Sequence, residues 1–192
     1  MQADNIQRCE WTGDDPQMIA YHDIEWGVPV HNDRELFELL VLEGAQAGLS
    51  WATILKRREG YRKAFENFDP KIVSNYGDAD IERLLEDKSI IRNKLKITST
   101  INNAKRFIEI KSEFDSFDQY IWNFINHKPI QNKFKILSDI PSFTPLSKDI
   151  SSDLKKRGFT FIGPTICYAF MQSIGMVNDH LMHCFRYYEL NL

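Results

Sequence analysis

Apolar residues recur along most of this chain at spacings of three and four, the period of a helix that buries one face. Leu36, Leu39, Leu40 and Val41 form such a face after Asp33, which reads as its N-cap. Ser50 is placed to cap a second helix carrying Trp51, Ile54, Leu55, Arg58, Tyr61, Phe65 and Phe68. Asp69-Pro70 combines a capping side chain with proline at the first helical position. Asp78 opens a short helix through Ile81, Leu84 and Leu85, and Asn93 a long one through Ile97, Ile101, Ala104 and Ile108. Phe117, Ile121 and Phe124 mark the next. Residues 126–146, with Pro129, Pro141 and Pro145, read as a loop-rich connection. Ser147 then caps a helix ending near Gly158, and Gly163-Pro164 starts a last one that runs to Gly175. No segment alternates as a half-buried strand would, so the fold class is all-α.

One residue breaks the apolar face of the Asp33 helix. Glu43 follows Leu36 and Leu40 on the same stripe, inside Leu42-Glu43-Gly44-Ala45-Gln46-Ala47-Gly48-Leu49-Ser50-Trp51. Burying a carboxylate is costly without a partner. A cationic or donor-rich ligand would supply one; so would a backbone amide or a tyrosine elsewhere in the fold.

A chain of 192 residues suits one domain. It has no apolar run long enough to cross a membrane and no apolar signal segment at its start. Three cysteines argue against a disulfide scaffold and fit a reducing cytoplasm. The net charge of −3 conceals an asymmetry. Residues 1–50 carry ten acidic side chains against Arg8 and Arg34, whereas residues 88–108 carry six basic ones and no acid. Lys56, Arg57, Arg58, Arg62 and Lys63 form a second basic cluster, and Lys155-Lys156-Arg157 a third. Such patches serve phosphate contacts or are solvated helix faces.

Ser89-Ile90-Ile91-Arg92-Asn93-Lys94-Leu95-Lys96 joins two predicted helices as a short apolar hairpin followed by Arg92, Lys94 and Lys96. A hairpin of this kind presents backbone amides and lysines to a nucleic-acid phosphate, which fixes position without reading sequence. Ser89 and Leu95 stand where helix-hairpin-helix motifs favour glycine, and an ordinary αα-corner would carry the same pattern.

Cys9 and His22 lie near one end of the chain, and His180 and Cys184 near the other, four residues apart. Two thiolates and two imidazoles make a closed tetrahedral Zn²⁺ site with no open position for chemistry. His31, His183 and Cys167 offer other combinations. Trp11, Tyr21 and Trp26 cluster within reach of Cys9 and His22. Together with Trp51 they could enclose a flat ligand, and rings beside a carboxylate favour a planar cation.

Arg8-Cys9-Glu10-Trp11, Ala20 to Pro29, Leu42 to Trp51, Lys156-Arg157-Gly158-Phe159 and Val177-Asn178-Asp179-His180 resemble, in order, the 3-methyladenine DNA glycosylase I (Tag) family of the helix-hairpin-helix superfamily. The resemblance implies a single glycosylase domain, 1–192. In it, residues 1–32 and 147–192 form a zinc-linked terminal lobe, and residues 33–146 a helical lobe with its hairpin near 89–96. It implies structural Zn²⁺ on Cys9, His22, His180 and Cys184. It also implies a base pocket of Glu43 and Tyr21, as catalytic residues, with Trp51, Trp11 and Trp26. Gly48-Leu49 would enter the DNA beside an extruded nucleotide, and Arg92, Lys94 and Lys96 would meet the backbone. Met18 departs from the pattern, standing where relatives often have a second tyrosine; it can pack on a base but supplies no phenol.

The implied reaction is hydrolysis of the glycosidic bond of 3-methyladenine in double-stranded DNA, by a cytoplasmic monomer that uses no membrane. Methylation at N3 makes the base cationic and labile, so little acid–base help is required. No lysine stands out as a Schiff-base nucleophile, and strand cleavage is not expected. An inactive helical DNA-binding module and a catalytic metal site are the competing classes. Retained Glu43, Tyr21 and Trp51 weigh against the first, and four protein ligands against the second.

Overall fold

A computed structural model describes residues 6–190. The described residues form eleven α-helices. α1 (Pro16–Ile24), α2 (Asp33–Gln46), α3 (Trp51–Leu55) and α4 (Arg58–Ala64) come first, then α5 (Pro70–Val73), α6 (Asp78–Glu86) and the long α7 (Lys94–Phe114). α8 (Phe117–Asn123), α9 (Pro145–Lys156), α10 (Pro164–Ser173) and α11 (Phe185–Glu189) complete the set. The all-α expectation holds, with one addition. Ile130–Gln131 and Val177–Asn178 pair as a two-residue parallel bridge, too short to leave an alternating pattern in sequence.

Capping chemistry sets most helix starts, and two of them differ from expectation. Asn32, not Asp33, caps α2: its Oδ1 accepts from Arg34 N at 2.9 Å and Glu35 N at 3.2 Å. Asp33 instead accepts from Asp118 N at 2.9 Å and pairs with Lys111 Nζ at 2.7 Å, tying the start of α2 to α7 and α8. Thr144, not Ser147, caps α9. The two exchange hydrogen bonds in a capping box, with Pro145 at the first helical position. The helix predicted from Ser50 does begin there but breaks after Leu55. Phe65 and Phe68 reach the core from beyond α4 through a left-handed turn at Glu66, Asn67 and Phe68.

One apolar core runs through α2, α7, α8, α9 and α10, joining Leu36, Phe37 and Leu42 to Phe107, Trp122, Leu154 and Phe170. It therefore draws on both 33–146 and 147–192. A smaller cluster of Cys9, Tyr21, Trp26, Leu181 and Cys184 binds the N-terminal segment to the C-terminal one.

The basic clusters are largely consumed by structure. Arg58 and Arg62 pair with Glu38, which is 6 % exposed, and Arg58 also with Glu25. Lys56 pairs with Asp15, and Arg157 with Glu113 and Asp153.

The hairpin between α6 and α7 sits against α4. Ile90 is buried, and Ile91 N donates to Tyr61 Oη at 3.2 Å. Gly60 makes the approach feasible, because a Cβ there would lie 2.6 Å from Ser89 O. Gly60→Ala should therefore lower the unfolding free energy by about 1–3 kcal/mol, since backbone atoms must move apart. Urea denaturation measures this; an unchanged midpoint would show that the hairpin is not seated on α4.

Candidate functional site: an aromatic cage beside a metal-binding cluster

Trp11, Tyr21, Trp26, Glu43, Gln46 and Trp51 line one cavity of about 300 Å³, closed by Leu137, Ile140, Ala169 and Gln172. Each wall comes from a different part of the chain. Trp11 lies on a 3₁₀ turn, Glu10–Thr12, and Tyr21 on α1, whose start is fixed by the Asp15 cap. Trp51 opens α3 under the Ser50 cap. Ala169 and Gln172 lie on one face of α10, which packs against α2. Leu137 and Ile140 belong to and follow a 3₁₀ turn, Leu137–Asp139, in the loop-rich connection.

The rings pack edge to face or tilted against one another. Trp11 and Trp26 have centroids 5.0 Å apart at 74°, and Tyr21 and Trp51 5.1 Å apart at 45°. Trp51 Nε1 is buried without a partner. A buried donor without a partner is a cost to the fold.

Glu43 is 5 % exposed, as its place on the apolar stripe predicts. Burial pushes its carboxyl up to about 8. The hydroxyl of Ser173 works against this, although here it donates to Phe170 O at 3.0 Å. Tyr21 is buried beside it. Burial first, then the charges of Glu43 and Glu25, hold its phenol well above its ordinary value. Tyr21 is thus a persistent proton donor, and Glu43 an acid that ionises readily only beside a cation.

A second cavity of about 210 Å³ shares Glu43, Gln46 and Ala169 and continues past Ala47, Gly48 and Leu49 to Thr165 and Ile166. Gly48 has φ +78°, a conformation that favours glycine, and Leu49 is left 39 % exposed at the tip. Lys96 anchors this turn. Its Nζ donates to Ala45 O and Ala47 O, each at 2.7 Å, satisfying carbonyls left open at the end of α2. Two of its three donors are thereby occupied, unlike the exposed Arg92 and Lys94. Met18 is buried on α1 and is not among the residues lining either cavity.

Cys9, His22, His180 and Cys184 converge as sequence spacing suggested, all four buried, with ligand atoms within 4.8 Å of one another. A tetrahedral ion with Zn–N and Zn–S bonds of usual length requires roughly 3.3 Å between nitrogens and roughly 3.6 Å between nitrogen and sulfur. His22 Nε2 and His180 Nδ1 are 3.1 Å apart, and the sulfur–nitrogen separations are 3.4, 3.5 and 3.7 Å. The outward ring nitrogens are also engaged, His22 Nδ1 with Asp23 Oδ1 at 2.7 Å and His180 Nε2 with Trp26 O at 3.0 Å. That fixes the tautomers that leave the inward nitrogens as ligands. The donor set fits a metal of zinc type. The competing residues are elsewhere: Cys167 lies in the main core, His31 pairs with Asp118 and His183 with Glu10.

Gln172, Ala169, Leu137 and Ile140 carried no signal in sequence. They reach the cavity only because α10 docks on α2 and because the loop returns over the cage. Gln46, three residues after Glu43, was legible as its neighbour on the helix.

The methyladenine glycosylase family model matches residues 11–187. The chain belongs to that family. It is 48% identical to DNA-3-methyladenine glycosylase 1 of Escherichia coli (strain K12), over 95% of this chain and 97% of that protein. DNA-3-methyladenine glycosylase of Haemophilus influenzae is also 48% identical, over 92% and 96%. A crystal structure of 3-methyladenine DNA glycosylase I superposes with a TM-score of 0.91 at 48% identity, covering 93% of this chain and 98% of the other. The Staphylococcus aureus 3-methyladenine DNA glycosylase I, in a structure on 3-methyladenine recognition, gives 0.90 at 35% identity, covering 93% and 95%. The family match spans the cage and three of the four Cys/His residues, His22, His180 and Cys184.

Two outcomes follow for this family member. Cys184→Ala should lower bound metal and thermal stability together; unchanged metal stoichiometry would reject the ligand set. Glu43 binds a proton more tightly folded than unfolded, so stability declines as pH rises from its ordinary value near 4.5 towards 8. Glu43→Gln should therefore raise the melting temperature by several degrees at pH 7, and the gain should vanish below pH 4.5. A gain that persisted in acid would show that Glu43 is not a destabilising buried acid.

Proposed function

We propose that this protein hydrolyses the N-glycosidic bond of 3-methyladenine in double-stranded, alkylated DNA, as a base-excision repair enzyme. The observation that carries this reading is a buried carboxylate, Glu43, in a cage of four aromatic rings. N3 methylation gives adenine a fixed positive charge. A carboxylate in a dry site favours that charge, and aromatic faces accept both its plane and its charge. Base and sugar must leave the helix for this to happen.

Glu43 and Tyr21 are the catalytic residues of the proposal. The Glu43 carboxylate accepts from the base edge and Tyr21 orients that edge, while Trp51 stacks on the ring and Trp11 and Trp26 complete the wall. Met18, buried on α1 and off the cavity lining, contributes no hydroxyl. Gly48 and Leu49, at the tip of the turn, enter the space vacated in the duplex. Arg92 and Lys94 meet backbone phosphates, and Lys96, expected beside them, holds the Leu49 turn in shape. Cleavage of the C1′–N9 bond returns its electron pair to the base, which leaves neutral. Water adds to the oxocarbenium-like sugar, and its proton passes to solvent. No enzyme-bound intermediate is required, and the phosphodiester strand stays intact.

The metal of the proposal is Zn²⁺ on Cys9, His22, His180 and Cys184. When bound it supplies a closed four-ligand tie between the chain termini. The ligands themselves fix the 3₁₀ turn bearing Trp11 and the helix bearing Tyr21. We read residues 1–192 as one glycosylase domain, acting as a cytoplasmic monomer. Among the described residues no helix is long and apolar enough to cross a membrane.

Release of free base from methylated DNA tests the proposal. The protein should release 3-methyladenine and largely ignore 7-methylguanine, and Glu43→Gln should lower release on the order of 100-fold. Only the carboxylate form of Glu43 pairs with the cation, so kcat/KM should rise with pH and level off above about 8. Glu43→Gln should lose that pH dependence. Absence of 3-methyladenine release by the wild type would overturn the reading.

A further inference from the structure

The cavity contains a second polar residue whose orientation is fixed by a group outside it. Gln172 Nε2 donates to Asp179 Oδ2 at 2.8 Å. Asp179 is 1 % exposed, and it also accepts from Tyr168 Oη at 2.5 Å and Asn132 Nδ2 at 2.6 Å. A carboxylate has no proton to give, so only the NH₂ end of an amide can face it. The flipped amide would set oxygen against oxygen in a buried place. Gln172 lines the cavity, and its Oε1 is the amide end that Asp179 leaves free, with no protein donor against it among the described residues. Gln46, the other amide on the wall, has no such clamp and can turn either way.

A fixed acceptor distinguishes purines at position 6. 3-Methyladenine carries an amino group there, with protons to donate. 3-Methylguanine carries the same labile N3-methyl cation but presents a carbonyl oxygen, which two facing acceptors repel. We infer that Gln172 is a specificity-determining residue that selects N3-alkylated adenine over N3-alkylated guanine, and that Asp179 is the positioning residue that sets the direction of its amide. The inference rests on the glycosylase reading above and adds a base-edge contact to the Glu43 pairing. Polar sites built this way discriminate strongly because the wrong partner leaves buried groups unpaired.

The test compares kcat/KM for release of 3-methyladenine and of 3-methylguanine by the full, metal-loaded chain. Gln172→Leu keeps the side chain's approximate size and removes the acceptor. It should lower 3-methyladenine release about tenfold and leave 3-methylguanine release unchanged or raised, so that the adenine preference falls at least tenfold. Asp179→Asn can present either an acceptor or a donor to Gln172, so the amide is no longer fixed. It should reduce the preference by a smaller factor while metal content and circular dichroism stay as in wild type. Equal losses on both bases in Gln172→Leu, or an unchanged ratio, would overturn the inference and leave the glycosylase reading standing. A wild type that releases neither base would overturn both.

Discussion

The convergence of Cys9, His22, His180 and Cys184 is the constraint on which the rest of the site depends. The N-terminal segment contributes three of the four cage aromatics yet little to the main core. Its own apolar cluster is small and is completed by Leu181 and Cys184 from the other end of the chain. A short segment with so little buried surface cannot hold tryptophans in fixed edge-to-face contact by packing alone. Four donor atoms within 4.8 Å of one another, able to hold a metal, join the segment to the far end of the chain. The surrounding polar groups serve the same end: Arg8 clamps Asp23, Asp23 engages His22, and the carbonyl of Trp26, itself a cage residue, engages His180. His22 thus adjoins Tyr21 in the chain, and His180 meets the carbonyl of Trp26.

Around that tie the molecule accepts local instability at the cavity wall. Glu43 is buried with little to stabilise its charge, and Trp51 Nε1 is buried with nothing to accept its proton. Neither favours the folded state. The large core through α2, α7 and α10 supports both, since it buries Phe37, Phe107 and Phe170 completely. Asp179 shows the contrast. It is as deeply buried as Glu43 but receives three hydrogen bonds, and it acts on the cavity only through Gln172. One carboxylate is saturated and structural, while the other is left unsaturated at the cavity wall.

Lys96 illustrates how a basic residue changes meaning with tertiary context. In sequence it belongs to a run of cations after a hairpin and reads as a phosphate contact. In the fold it is turned back onto the carbonyls of Ala45 and Ala47, where burial lowers its proton affinity. It links the hairpin helix to the turn that displays Leu49. Arg58, Arg62 and Arg157 show the same conversion, from apparent surface charge to ion pairs between helices, the last with Glu113 of α7.

The sequence by itself determined the helical class, the buried position of Glu43 and most helix starts, and it offered Cys9, His22, His180 and Cys184 as one of several Cys/His combinations. These rest on short-range rules: a 3.6-residue period, side-chain caps, and ligand types whose chemistry is strict. It misplaced the caps of α2 and α9 by one and three residues, because Asn32 competes with Asp33 and a Thr144–Ser147 exchange looks like either cap alone. Only the tertiary structure decided that Gln172, Ala169, Leu137 and Ile140 face Glu43, that Met18 lies off the cavity lining, and that Lys96 turns inward. Those outcomes depend on how α10 docks on α2 and where a long loop returns. Contacts between residues far apart in the chain are set by the packing of whole helices and the path of long loops, which leaves no local trace in the sequence.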